Sequence, residues 1–181
     1  MAAEADRLAA ASGLSIPDDA DLEAAVEGAL VSKYRNAGQT CVCANRFLVQ
    51  AGIYNAFAER LTAAVADLKV GSGFEEGVQQ GPLIDTAALT KVRAHIGDAV
   101  EKGARVLIGG EPHALGGTFF QPTVLSDVTP NMRICHEETF GPVAPLIRFD
   151  DVDAMLKVAN DTPFGLAGYL YGRDLGRIFK V

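Results

Sequence analysis

The chain has 181 residues, 49% of them hydrophobic, and its 16 basic and 23 acidic side chains give a formal net charge of −7 at pH 7. A domain of this size buries roughly 70% of the surface that its unfolded chain exposes, so a core can form without disulfides or a structural metal. The acidic balance and the lack of Lys/Arg runs argue against nucleic acid as a partner, because phosphate binding needs clustered basic side chains.

The N-terminal residues are Ala-rich and carry two acidic side chains against a single Arg7, so they lack the basic start of a secretory signal. The longest uncharged apolar stretch, at residues 53–58, falls far short of the ~20 residues that a membrane helix needs. We therefore expect no membrane partner and a cytoplasmic location. The three cysteines do not have the spacing of a secreted disulfide framework, so free thiols are expected.

Helical and strand patterns alternate along the chain. Apolar residues at helical spacing predict a helix over residues 20–36, with Asp18 and Asp19 as candidate N-terminal caps. The later predictions, in order, are a strand at 46–50, a helix at 53–70, a glycine-rich connecting loop at 71–81, a helix at 86–102, strands at 105–108, 119–125 and 143–149, a helix at 150–160, a strand at 165–171 and a helix that opens at Asp174. This alternation predicts an α/β fold, a mostly parallel sheet flanked by helices, with its working residues at strand ends and in loops.

A thiol follows a glycine turn between the first predicted helix and the first predicted strand. Gly38 precedes Cys41, and such a turn exposes a side chain while aiming backbone N–H groups at a ligand, so Cys41 is a candidate nucleophile. The alternative is that Cys41 and Cys43 are small buried hydrophobic residues, as most free cysteines are. The cysteines and histidines fit no usual zinc spacing, so no metal site is predicted, and no histidine has a partner at the spacing of a catalytic triad.

The segment from Tyr34 to Cys43 closely resembles the cysteine active-site motif of the NAD(P)-dependent aldehyde dehydrogenases: an aromatic residue, three residues, Gly-Gln, one residue and the catalytic cysteine. Further blocks that resemble the family, in family order, lie at 80–85, 101–105, 120–124, 137–143 and 159–166. The resemblance covers nearly all of residues 18–181 and leaves 1–17 as a non-matching N-terminal segment. It implies the family's catalytic domain, incomplete at both ends, with the phosphate loop, the oxyanion-hole Asn and the Glu-Leu-Gly-Gly block expected elsewhere.

The resemblance also implies a reaction, the oxidation of an aldehyde to a carboxylic acid through a cysteine thioester, with NAD or NADP as cofactor. Matched to the family motif, Cys41 is the nucleophile and its backbone N–H is half of the oxyanion hole. Glu138 matches the carboxylate that holds the nicotinamide ribose hydroxyls, and Phe140 matches the ring that flanks the nicotinamide. Without the resemblance, Glu137 and Glu138 would be interpreted as a solvated acidic pair. For full-length members the family also implies homo-oligomers.

Within the family, the segment is most similar to succinate-semialdehyde dehydrogenases, and Arg35 is the discriminating residue. A guanidinium binds the far carboxylate of a semialdehyde through charge-assisted hydrogen bonds worth roughly 1.5–3 kcal/mol. The resemblance thus implies Arg35 as the substrate anchor and succinate semialdehyde as the substrate. The alternative for Arg35 is a surface side chain that interacts with a helix dipole. The alternative for the whole chain is a non-catalytic remnant or interaction domain that keeps the α/β core.

Overall fold

A computed structural model describes residues 13–162 and 165–181 of the chain. Its central sheet consists of β1 (Gly13–Ile16), β2 (Arg46–Gln50), β3 (Arg105–Ile108), β4 (Thr123–Val128), β5 (Val143–Phe149) and β6 (Gly168–Leu170). The helices are α1 (Leu22–Tyr34), α2 (Ala51–Ala66), α3 (Thr86–Glu101), α4 (Val152–Asn160) and α5 (Leu175–Lys180). The strand order is β3-β4-β5-β2-β1-β6, and only β3 runs antiparallel to its neighbour. The predicted α/β fold with a mostly parallel, helix-flanked sheet is confirmed.

Both faces of the sheet are covered, as expected for parallel strands with near-continuous apolar sequence. In β2, Phe47 and Val49 pack with α1 and α2 on one face, while Leu48 packs with α3 and α4 on the other. All three are at most 2% exposed. Within the described ranges, no helix is long and apolar enough to cross a bilayer.

Carboxylates cap four of the five helices of the described part of the chain. At the start of α1, Asp21 Oδ1 accepts a hydrogen bond of 3.2 Å from the backbone N–H of Ala24. The prediction of Asp18 or Asp19 as this cap is wrong, because both carboxylates face the other end of the chain, where they accept hydrogen bonds from the guanidinium of Arg177. The corresponding caps of α3, α4 and α5 are Asp85, Asp151 and Asp174.

The boundaries differ most at three places. β1 was not predicted, because a four-residue strand carries too short a pattern, and it places part of the segment 1–17 inside the sheet. The strand predicted at 119–125 begins only at Thr123 and continues to Val128. The first helix ends at Tyr34, and the backbone becomes left-handed at Asn36. Residues 1–12, and residues 163 and 164 of the last family-like block, lie outside the described residues.

The sheet topology brings two distant segments of the sequence to one edge. The loop that contains Cys41 leads into the amino end of β2, and the segment 137–142, which we call the acidic block, leads into the amino end of β5. β2 and β5 are parallel neighbours, with Phe47 opposite Leu146. Their amino ends therefore meet, and this edge, rather than the carboxyl edge that most open α/β sheets use, carries the predicted site.

Candidate active site

A left-handed turn ends α1 and leads the chain toward Cys41. Asn36, Ala37 and Gly38 have φ values of 53°, 55° and 74° in succession. For alanine this conformation costs roughly 1–2 kcal/mol, so the surrounding structure must hold the turn in place. The Gln39 side chain does so: its amide donates to the carbonyl of Asn36 at 3.2 Å, and its oxygen accepts from the N–H of Ile84 at 2.8 Å.

The turn packs directly against the acidic block. A Cβ atom at Gly38 would lie 2.1 Å from the carbonyl oxygen of Gly141, which is far inside van der Waals contact. Only glycine permits both this approach and the positive φ. The close contact holds the loop of Cys41 and the acidic block together, although about a hundred residues of sequence separate them.

The three cysteines occupy different environments. Cys41 is exposed on its loop, whereas Cys43 and Cys135 are buried. The Cys43 sulfur lies 2.7 Å from Thr40 Oγ1 and 3.8 Å from the carbonyl oxygen of Arg35, so this thiol packs within the turn. Burial raises the pKa of Cys135 to about 11. Exposure therefore singles out Cys41 as the thiol that a reagent or substrate reaches.

This difference predicts selective alkylation. With limiting iodoacetamide near pH 8, we expect Cys41 to react at least about 10-fold faster than Cys135, because the thiolate is the reacting species and Cys135 is both buried and protonated. Peptide mapping by mass spectrometry measures the three rates in one sample. Cys43 serves as the internal control for a buried thiol two residues away. Faster labelling of Cys135 than of Cys41 would contradict the assignment.

The other predicted site residues surround the same turn. Arg35 opens the turn and is exposed, and within residues 13–162 and 165–181 no carboxylate forms an ion pair with it. Phe140 is partly buried, has a φ of 50°, and its ring lines a cavity of about 390 Å³. The same cavity is lined by Asn36, Gln39, Pro82, Leu83 and Ile84. Glu138 is partly buried beside Phe140 in the acidic block.

A buried lysine under the turn was missed by the sequence analysis. Lys33 is 0% exposed, and its ammonium has no hydrogen-bond partner among the described residues. Burial lowers its pKa to about 8, against the opposing effects of Cys43 and Glu138. Its position could have indicated this burial, since Lys33 lies four residues after Ala29, on the apolar face of α1. The Lys33 cation is thus an electrostatic partner of the Glu138 carboxylate.

Glu137 and Glu138 do not form the solvated acidic pair that the residues alone suggest. Glu137 accepts two hydrogen bonds from Arg133, from Nε at 2.8 Å and from Nη2 at 2.9 Å. Arg133, and after it His95, holds the pKa of Glu137 at about 2. The two neighbouring carboxylates therefore interact with different cations. Glu137 forms an ion pair with Arg133, and Glu138 interacts electrostatically with Lys33.

A second cavity, of about 470 Å³, lies between β5 and α4 and is lined by Leu48, Phe149 and Met155 among others. None of its described lining residues belongs to the predicted site. Within the described ranges, no group of three or more His, Cys, Asp or Glu side chains is arranged to hold a metal ion.

A match to a known protein family identifies the family of this chain. The model of the aldehyde dehydrogenase family matches residues 7–181 of the chain. The chain belongs to the aldehyde dehydrogenase family. The family match begins before residue 18 and includes β1, in agreement with the place of that strand in the sheet.

Curated aldehyde dehydrogenases share most of this sequence. The chain is 62% identical to a 3-sulfolactaldehyde dehydrogenase of Pseudomonas putida, over 91% of the chain and 34% of the relative. It is 61% identical, with the same coverage of both chains, to an NADP-dependent succinate-semialdehyde dehydrogenase of Escherichia coli. The chain thus spans about a third of the length of these relatives.

A solved structure shows the same fold. The crystal structure of succinate-semialdehyde dehydrogenase from Burkholderia pseudomallei superimposes with a TM-score of 0.92 at 56% identity, over 96% of this chain and 36% of that one. Membership in the aldehyde dehydrogenases, which are oxidoreductases that use NAD or NADP, confirms the family resemblance of the sequence. The roles of individual residues stay predictions.

Proposed function

We propose that this chain supplies the nucleophile, together with parts of the cofactor and substrate sites, of an aldehyde dehydrogenase that oxidises an aldehyde with an anionic far end. Succinate semialdehyde is the proposed substrate. The observation that carries the proposal is the exposed thiol of Cys41, three residues after a strained turn that packs against the acidic block. Strained backbone at a reactive side chain is typical of functional sites.

In the proposed reaction, the thiolate of Cys41 adds to the aldehyde carbon and forms a tetrahedral hemithioacetal. We assign the backbone N–H of Cys41 as a hydrogen-bond donor to the oxyanion of this intermediate. NAD or NADP, when bound, supplies the acceptor for the hydride that leaves this carbon. Cys41 then carries the acyl group as a thioester, and water releases the carboxylic acid and returns the thiol.

The acidic block has the features that a nicotinamide site needs. Phe140, an aromatic residue, lines a cavity that includes two residues of the turn before Cys41. Glu138 carries a carboxylate, which accepts hydrogen bonds from ribose hydroxyls. The buried Lys33 cation interacts electrostatically with the Glu138 carboxylate. These residues fit the proposed cofactor role.

Two observations support an anionic substrate. Arg35 is exposed and has no ion-pair partner among the described residues, so its guanidinium is available to an anion. The relatives described above are named for 3-sulfolactaldehyde, which carries a sulfonate, and for succinate semialdehyde, which carries a carboxylate. An arginine serves both groups, since it binds planar and tetrahedral oxyanions with paired hydrogen bonds.

We propose that the full-length enzyme is located in the cytoplasm and forms a homo-oligomer.

A chimaeric enzyme tests the proposal. Residues 13–181 replace the matching third of the E. coli succinate-semialdehyde dehydrogenase, to which the chain is 61% identical. We expect steady NADPH formation with succinate semialdehyde, and a kcat/KM at least about 10-fold lower with a neutral aldehyde of the same length, because the neutral aldehyde forgoes a charge-assisted contact. The unmodified E. coli enzyme is the control. A folded chimaera without turnover would favour the alternative of a non-catalytic domain.

A further inference from the structure

His95 is a buried titratable residue that the proposed reaction does not use. It lies on α3 and is 0% exposed, yet both of its ring nitrogens contact the acidic block. Nε2 lies 3.1 Å from Glu137 Oε2, and Nδ1 lies 3.1 Å from Thr139 Oγ1. Thr139 is itself only 1% exposed. One side chain of α3 therefore joins two residues of a segment about forty positions away.

The hydrogen-bond directions follow from the charges of the partners. Glu137 is a carboxylate at neutral pH and only accepts, so Nε2 carries the proton and donates. Burial lowers the pKa of His95, which keeps the ring neutral, and Nδ1 then accepts from the hydroxyl of Thr139. Arg133 closes the other side of Glu137 with two hydrogen bonds. Both ring nitrogens of His95 are thus satisfied in one geometry.

The contacts of the acidic block alternate along the sequence. Glu137 and Thr139 contact His95, on the side of α3. Glu138 interacts electrostatically with Lys33, and Phe140 lines the cavity shared with the turn before Cys41. Phe140 also holds a left-handed backbone conformation, which a bulky residue adopts only where its surroundings enforce it. Fixing the first pair of residues therefore fixes the orientation of the second pair.

We propose that His95 is a positioning residue for cofactor binding, which acts through Thr139 and Glu137 to keep Glu138 near Lys33 and Phe140 at the cavity shared with the turn before Cys41. It is not a catalytic residue, because a fully buried ring touches neither substrate nor cofactor. The inference rests on the proposed cofactor roles of Glu138 and Phe140.

Two variants of Thr139 test the functional consequence in the chimaeric enzyme. Thr139→Val keeps the shape of the side chain but removes the donor to His95, whereas Thr139→Ser keeps the hydroxyl. We expect Thr139→Val to raise the KM for NADP+ about 10-fold, because the buried Nδ1 of His95 loses its hydrogen-bond donor. With Thr139→Ser, which keeps the donor, the KM for NADP+ should equal that of the parent protein. The KM for the aldehyde and the alkylation rate of Cys41 should stay within about 2-fold. An unchanged KM for NADP+ in Thr139→Val, or no rescue by Thr139→Ser, overturns the inference.

A second measurement needs no turnover, so it separates this inference from the proposed function. The chain contains no tryptophan, and Phe140→Trp therefore places a single tryptophan in the 181-residue protein as the reporter. In this background, we expect His95→Gln to shift the Trp emission to the red and to increase its quenching by acrylamide. The matched control is His113→Gln, in the loop between β3 and β4, where the ring accepts a hydrogen bond from the backbone N–H of Leu115. If the chimaera lacks turnover but His95→Gln alone moves the reporter, the proposed function fails, while the effect of His95 on the position of residue 140 stands. Equal emission in both variants overturns the positioning role.

Discussion

Replacing Cys41 by serine should lower kcat/KM for succinate semialdehyde at least about 10³-fold in the chimaeric enzyme, because a serine hydroxyl is a far weaker nucleophile than a cysteine thiolate. The substitution is nearly isosteric, and the side chain is exposed, so the fold should not change. The rate of NADPH formation measures the loss of activity. Far-UV circular dichroism on the same samples measures whether the fold is kept.

The matched control for Cys41→Ser is Cys135→Ser. This second thiol lies in a short helical turn, where its sulfur donates to the carbonyl of Thr129 at 3.3 Å, a contact that a serine hydroxyl can keep. We expect activity close to that of the parent protein. An equal loss of activity in both variants would show that the effect comes from the fold, and Cys41 would lose its assignment as the nucleophile.

Replacing Arg35 by alanine should lower kcat/KM for succinate semialdehyde by roughly 10- to 100-fold, the equivalent of ~1.5–3 kcal/mol for a charge-assisted contact, with little change for a neutral aldehyde of similar length. Steady-state kinetics with the two substrates measure the contrast, which is the decisive quantity. Arg35 is exposed and forms no ion pair among the described residues, so the variant leaves no buried charge without a partner.

Arg93→Ala, which removes an exposed guanidinium from α3, is the control for a general change of charge. If Arg35→Ala lowers kcat/KM equally for both substrates, Arg35 shapes the turn before Cys41 and does not bind the substrate. The Cys43 sulfur lies 3.8 Å from the carbonyl oxygen of Arg35, so a change in the backbone at Arg35 would reach the segment that contains Cys41. The proposed substrate class would then have to be given up, while the proposed nucleophile would remain.

Local patterns predicted most of the fold. β2 and β5 were predicted with the bounds that the structure has, because both are apolar, buried strands flanked by turn residues. β1 was missed, since its four residues gain their strand conformation from β2 and β6 and not from a pattern of their own. The end of α1 was placed two residues late, because nothing in the type of residue announces that Ala37 takes a positive φ.

The site was predicted less completely than the fold. The family resemblance pointed to Cys41, Glu138 and Phe140, and the structure places the turn before Cys41 against the segment that contains the other two. Lys33 and His95 were missed as site residues, although each lies at helical spacing on an apolar face. Such spacing indicates burial, but the partners of a buried polar group come from distant sequence, which only the fold reveals.

The position of β1 between β2 and β6 determines when the sheet can be completed during synthesis. Leu14 pairs with Phe47 on one side and with Tyr169 on the other, so the two neighbours of β1 come from the first and the last third of the sequence. During synthesis, β1 keeps an open edge until the residues around Gly168 leave the ribosome. Contacts between such distant residues slow folding, and an open apolar edge invites pairing with other chains. A nascent chain that stops before Gly168 would therefore expose β1 as a site of aggregation.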